Sequence, residues 1–211
     1  MSMKKAAYKT FRYHDLVIEV HPEVYDPSED SFLLLETFVL DPEETVLEIG
    51  AGCGLLSLEC AHRGAHVICT DINPFAVQNI QKNIEKNKEK LKGSVEVRQG
   101  DMFSVIKDNE LFDVVFFNPP YLPTTKNERV GGWFDVATDG GRDGLLLSRR
   151  FLNGLRAHLT PSGRAYVVFS SLAKRSQLEQ CLDRNRFSYE IIASYLFDGE
   201  QLDVYGVAPT G

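Results

Sequence analysis

The rhythm of apolar and polar residues in this chain changes near residue 45. Before that point the runs 8–13 and 16–20, joined by His14-Asp15, predict a small hairpin. Behind Pro27-Ser28-Glu29-Asp30, the apolar residues Phe32, Leu35 and Val39 return at helical spacing. Ser28 is predicted to cap that helix, whose first turn holds two carboxylates at the positive end of the helix dipole. From residue 45, short runs rich in Val, Ile or Phe at 45–49, 66–70, 95–99, 113–117 and 164–170 alternate with amphipathic stretches at 55–62, 74–90, 145–159 and 174–185. That alternation predicts βαβ units and a mostly parallel sheet with helices on both faces. The last two runs, 188–194 and 203–207, are joined by only eight residues, too few for a crossover helix, and are predicted to pair antiparallel. Ligands of such sheets bind at the carboxyl ends of the strands, which directs attention to the loops 50–54, 71–75, 100–103 and 118–125.

Composition narrows the class. A chain of 211 residues, 43% apolar and 25% charged, has the makeup of one globular domain and excludes disorder, collagen-like repeats and a disulfide-stapled miniprotein. No apolar stretch is long enough to span a bilayer, so no membrane association is expected. The first residues carry Lys4, Lys5, Lys9 and Arg12 without an apolar run, which makes the cytoplasm the expected location. Cys53, Cys60, Cys69 and Cys181 show no Cys-x-x-Cys pairing, so reduced thiols and no metal are expected. The formal charge of −7 is unevenly placed: residues 22–48 hold nine acidic and no basic groups, while the rest of the chain sums to +2. Such a block is either a solvated face or a field that attracts a cationic ligand or partner.

The loop after the run 45–49 reads Glu48-Ile49-Gly50-Ala51-Gly52-Cys53-Gly54-Leu55. Closely spaced glycines between a strand and a helix let the backbone approach a ligand where side chains would collide. Leu55 stands where the dinucleotide fingerprint requires its third glycine, so the pattern departs from that of nicotinamide-binding proteins. Glu48 would repel a pyrophosphate and suits a cofactor with a cationic end and no phosphates. Asp71 follows the loop by about twenty residues, where a carboxylate can accept both hydroxyls of a ribose. Gly100-Asp101-Met102-Phe103 supplies a carboxylate for an exocyclic amine and apolar side chains to sandwich a flat ring.

The run 113–117 ends in Asn118-Pro119-Pro120-Tyr121. Two prolines remove two backbone donors and make a rigid turn with carbonyls pointing outward. The Asn118 side-chain carbonyl and the Pro119 carbonyl can accept the two hydrogens of a planar –NH₂ group, with Tyr121 stacked on its plane. The nitrogen is then held in one orientation, and the acceptors would meet positive charge developing on it in a reaction with a neighbouring electrophile.

Glu48-x-Gly50-x-Gly52-x-Gly54, Asp71 and Gly100-Asp101 resemble the successive motifs of class I S-adenosylmethionine-dependent methyltransferases. The resemblance implies S-adenosyl-L-methionine as cofactor and a Rossmann-like α/β fold whose seven-stranded, mostly parallel sheet has an antiparallel final strand. It places Glu48, Gly50 and Gly52 at the methionine end, Asp71 on the ribose, and Asp101 with Met102 at the adenine. Asn118-Pro119-Pro120-Tyr121 resembles the catalytic turn of methyltransferases acting on adenine N6 in DNA, guanine N2 in RNA, or the amide of glutamine. The segment Val24-Tyr25-Asp26-Pro27-Ser28-Glu29-Asp30-Ser31-Phe32-Leu33-Leu34 is similar to one in the small archaeal and eukaryotic branch of HemK-type N5-glutamine methyltransferases. That similarity runs from about residue 22 to 207 and omits the N-terminal helical substrate domain of the longer bacterial enzymes. It implies cofactor contacts for Tyr25, Ser31 and Asn118, and substrate contacts for Asn118, Pro119, Tyr121 and Leu122. The implied substrate is the glutamine of the Gly-Gly-Gln loop in class 1 translation release factors. A small zinc-ribbon activating subunit, bound along an exposed sheet edge near the strand 95–99, is implied as partner. Asp139-Gly140-Gly141-Arg142-Asp143-Gly144 resembles the branch's Gly-Gly-x-x-Gly segment, although Thr138 stands where a Trp usually precedes it and the only Trp is Trp133.

The expected organisation is an N-terminal extension over 1–24, holding the hairpin, and a methyltransferase domain over 25–211. Read from its residues alone, 122–144 is a long polar loop, either a lid or a disordered excursion. The five histidines are dispersed and read as packing or surface residues, Cys53 as packing beside the cofactor, and 82–90 as a solvated helix face. Two rivals stay open. A DNA or RNA amino-methyltransferase would use the same four residues but calls for a basic patch that is not visible, so direct nucleic-acid binding is disfavoured without being excluded. A non-catalytic cofactor-binding scaffold is argued against by intact Asn118 and Tyr121.

Overall fold

The chain opens with the hairpin, β1 (Lys9–Tyr13) and β2 (Leu16–Val20), followed by α1 (Glu29–Thr37) and β3 (Thr45–Ile49). It continues through α2 (Leu55–Arg63), β4 (His66–Asp71), α3 (Pro74–Asn87), β5 (Ser94–Gln99) and β6 (Phe112–Phe117). The remaining elements are α4 (Trp133–Thr138), α5 (Leu146–Leu155), β7 (Leu159–Ser170), α6 (Arg175–Arg184), β8 (Phe187–Phe197) and β9 (Glu200–Pro209). The structure, a computed structural model, describes residues 8–124 and 131–210; the other parts of the expected extension and long loop, and Gly211, lie outside the described residues.

Seven strands form one sheet in the order β5-β4-β3-β6-β7-β9-β8. The pairs from β5 to β7 are parallel, while β9 runs antiparallel to both β7 and β8. This is the doubly covered, mostly parallel sheet with a reversed final strand that the sequence predicts. Alternation along the strands fills two cores. Val46, Val114 and Phe116 share one with Leu16 and Ile18 of β2, Leu35 of α1, Leu58 of α2 and Ile80 of α3. Leu47, Val115 and Phe117 share the other with Phe151 and Leu152 of α5 and Leu178 of α6.

Three asparagines on α3 tie the hairpin to this body. Asn79, Asn83 and Asn87 recur every fourth residue, and their carboxamides pair with backbone groups of Val17, Glu19 and His21 at 2.7–2.9 Å. They serve as a substitute partner for the free edge of β2, and Asn83 also donates to the Cys53 carbonyl at 2.9 Å, which fixes the glycine loop.

Several expectations need adjusting. Ser28 sits at the N-cap of α1, but its hydroxyl donates to the Glu29 carboxylate rather than capping the helix, and the Ser31 amide donates to Asp30. A charged acceptor within reach takes precedence over a hydroxyl oxygen. The helix 74–90 ends at Asn87 and finishes as a 3₁₀ turn, and the helix 145–159 likewise shortens to α5 plus a 3₁₀ turn, Arg156–His158. The final two strands reach further than predicted and meet at Asp198-Gly199, both with positive φ (47° and 83°), the requirement of a two-residue hairpin turn. The long loop contains α4 rather than lacking structure. Among the described residues no helix is long and apolar enough to cross a membrane.

Candidate active site

The carboxyl ends of β3, β4, β5 and β6 converge on a cavity of about 1180 Å³, its mouth included. It lies where β3 and β6 are neighbours while the chain leaves them toward opposite edges of the sheet, the switch point that parallel sheets offer to ligands. Glu48, Asp71 and Asp101 line it, and among the described residues no Lys, Arg or His side chain does. Such a wall repels phosphates and favours a cation.

Gly50, Gly52 and Gly54 carry the chain from β3 into α2 with φ values of +67°, +57° and +80°, all left-handed. A Cβ on Gly52 would project into open space, so the bare backbone there is available to a ligand. The Gly52 N–H donates to Asp71 Oδ2 and the Asn73 N–H to Asp71 Oδ1, both at 2.8 Å. Asp71 is thereby held in place with lone pairs left for ligand hydroxyls. Burial raises its carboxyl, and the backbone donors oppose that rise. Glu48 is 8% exposed and accepts the Ser57 hydroxyl, and burial pushes its carboxyl up to about 8. A cation beside it would restore the charged form. Tyr25 and Ser31 complete the wall of this part of the cavity.

At the end of β5, Asp101 and Met102 line the cavity, with Met102 held at φ +54°. Asp101 Oδ2 also accepts from Arg150 at 2.7 Å, a half-exposed ion pair. The expected sandwich by Met102 and Phe103 does not form: successive side chains of a 3₁₀ turn diverge, and Phe103 stacks on Phe151 and His158 instead. Leu147 of α5 takes its place at the cavity. Cys53 is buried against the cavity, and burial pushes its thiol up to about 12, which leaves it unreactive.

Asn118, Pro119 and Pro120 line the cavity at the end of β6. Asn118 Oδ1 is buried and has no hydrogen-bond partner among the described residues. An acceptor abandoned in this way costs about 1–3 kcal/mol, a cost tolerated where a ligand brings the donor. Tyr121 is set back from the cavity wall, and its hydroxyl donates to Asp30 Oδ2 at 3.2 Å. Burial and then the nearby Asp30 charge push the phenol upward. Leu122 is not part of the cavity wall; its N–H donates to the Thr138 carbonyl and its carbonyl accepts the Gly140 N–H, so it pins the following loop against the turn.

Two groups of residues escaped the sequence reading. Asp30 is 4% exposed and links Ser31 to Tyr121, yet in sequence it looks like an ordinary first-turn acid. Trp133, Val136 and Ala137 of α4 close part of the cavity mouth, for which a lone Trp in an otherwise polar loop was the available signal.

The methyltransferase small domain model matches residues 23–132. The chain is 37% identical over 188 residues to a putative protein N5-glutamine methyltransferase of Methanocaldococcus jannaschii, covering 89% of this chain and 92% of that protein. It is 32% identical over 154 residues to Methyltransferase HEMK2 of Homo sapiens, covering 69% and 71% respectively. Among solved structures, the fold is similar to that of the E. cuniculi Mtq2-Trm112 complex, described as responsible for methylation of the eRF1 translation termination factor. That likeness has a TM-score of 0.66 at 21% identity, over 89% of this chain and 99% of the other.

Proposed function

Since the chain belongs to the methyltransferase small domain family, and within it to the HemK-type protein N5-glutamine methyltransferases, we propose that it methylates a glutamine side-chain amide with S-adenosyl-L-methionine. The proposed substrate is the Gly-Gly-Gln loop of a class 1 translation release factor. The observation that carries this reading is the buried Asn118 Oδ1, without a partner among the described residues, at the edge of an acid-lined cavity.

The cofactor fits the residues present. Glu48 and Ser31 would face its methionine end with Tyr25, the bare backbone at Gly50 and Gly52 would pass beside it, Asp71 would take the ribose hydroxyls, and Asp101 with Met102 would meet the adenine. When bound, it supplies an electrophilic methyl group. Asn118 Oδ1 and the Pro119 carbonyl accept the two amide hydrogens of the substrate, which holds its nitrogen lone pair toward the cavity. The same two acceptors stabilise the positive charge that grows on nitrogen as its new bond forms, so no strong base is needed at that stage. Tyr121, set back from the wall rather than stacked on the amide plane, anchors the turn that carries these two acceptors. The apolar wall of α4, with Trp133, keeps water from the nitrogen.

We further propose a small activating subunit, a zinc ribbon, since the similar E. cuniculi Mtq2 is described as a complex with Trm112. It would add along β5, the terminal strand of the sheet, whose outer edge is unpaired among the described residues. Incubation of the enzyme with labelled cofactor and release factor carrying Gln or Ala in the Gly-Gly-Gln loop tests the function. Label on the Gln form alone is expected; equal labelling of both overturns it.

A further inference from the structure

Ser31 belongs to the cavity wall and Tyr121 to the catalytic turn, yet both hydroxyls donate to one side chain. Asp30 Oδ1 accepts the Ser31 amide at 2.6 Å and the Ser31 hydroxyl at 3.1 Å, and Asp30 Oδ2 accepts the Tyr121 hydroxyl at 3.2 Å. The carboxyl is 4% exposed and does not itself line the cavity, so it touches neither ligand directly. Its partners in these bonds are neutral donors, which satisfy the oxygens of the buried carboxyl.

A hydroxyl has one proton and two lone pairs. When the proton is committed to a buried carboxylate, the oxygen can only accept from any other group. The cavity beside Ser31 is acid-lined and suited to a cation, and a cationic ligand brings N–H donors. An acceptor is therefore the useful polarity at Ser31, and a freely rotating hydroxyl would offer the wrong one part of the time. At Tyr121, set back from the cavity wall, the same commitment fixes the ring by its far end and so holds the turn that carries Asn118 and Pro119. We infer that Asp30 is a positioning residue that fixes the Ser31 hydroxyl as an acceptor and anchors Tyr121 behind the 118–121 turn, joining the cofactor side of the site to the substrate side.

The inference rests on the proposed methyl transfer, but part of its test needs no methyl acceptor. Asp30→Asn keeps the size of the side chain while placing an N–H₂ donor where a carboxylate oxygen stood. Calorimetric binding of S-adenosylhomocysteine to the full chain is expected to weaken about tenfold in Asp30→Asn and to a similar extent in Ser31→Ala. The double variant is expected to be no weaker than either single one, because both changes remove the same fixed acceptor. With release factor as substrate, Asp30→Asn and Tyr121→Phe are each expected to lower kcat by about tenfold or more without raising KM, and again not to add. Losses that add, or Asp30→Asn affinity equal to that of the unaltered protein, would overturn the inference. If the unaltered protein binds the probe but leaves release factor unlabelled, the glutamine reading falls, and the calorimetry still decides for or against Asp30.

Discussion

Glu48 and Asn118 hold opposite kinds of unmet demand within one cavity. Burial lifts the Glu48 carboxyl from an ordinary value of 4.5 to about 8, so the unliganded fold keeps a proton that the unfolded chain releases above the ordinary value. Its contribution to stability is therefore fully present at acid pH and is lost as pH rises toward 8. A cationic ligand favours the charged form and must expel that proton. Affinity for the cofactor is then expected to rise with pH, by up to about tenfold per unit across roughly pH 6–8, and to flatten in Glu48→Gln. Calorimetry in buffers of different ionisation heat checks this through the released proton. Asn118 lacks a donor rather than a cation. Asn118→Ala is expected to lower kcat by about 10²–10³ while cofactor binding persists, a separation that equilibrium binding beside single-turnover assays would reveal. The identities of these residues were legible from Glu48 ahead of three glycines and from Asn118-Pro119-Pro120-Tyr121. Asp30 was not, because its importance comes from a contact with Tyr121 across 91 positions of sequence.

Among the elements, the strands were easier to read than the segments that support the site. A buried parallel strand declares itself as a short Val, Ile and Phe run, and β3, β4, β5 and β6 lie where the pattern places them. The asparagines of α3 look like ordinary polar residues on a helix surface; only the fold reveals that they face the backbone of β2. Asn83 is fully buried and serves both Glu19 and Cys53. Asn83→Ala is expected to cost about 3 kcal/mol by stranding these backbone groups, seen in urea unfolding and in faster hydrogen exchange at the Glu19 amide. The glycines after α4 have a similarly local meaning. A Cβ on Gly144, where φ is +74°, would stand 2.4 Å from the Tyr121 carbonyl oxygen. Gly144→Ala is expected to displace the 118–121 turn and reduce kcat by about 10²-fold, with cofactor affinity near that of the unaltered protein. Comparing the two quantities separates a displaced turn from general unfolding.

For the molecule as a whole, the sheet order brings four strand ends to one cavity and thereby gathers acids that are far apart in sequence. The acidic block at 22–48 was visible from composition, but its division of labour was not. Glu48 lines the cavity and Asp30 lies behind Tyr121, whereas Glu44 is bound through both oxygens to Arg164 and Asp26 pairs with Lys9. The field at the site is thus smaller than the sequence count suggests, and it is concentrated where a cation would bind. What this architecture does is decided most directly by tandem mass spectrometry of release factor after incubation with the enzyme, its cofactor and, in a parallel sample, total RNA and DNA. The predicted result is a single methyl group on the side-chain nitrogen of the Gly-Gly-Gln glutamine, absent with Asn118→Ala. Methylated bases in the nucleic acid with an unmodified glutamine would contradict it.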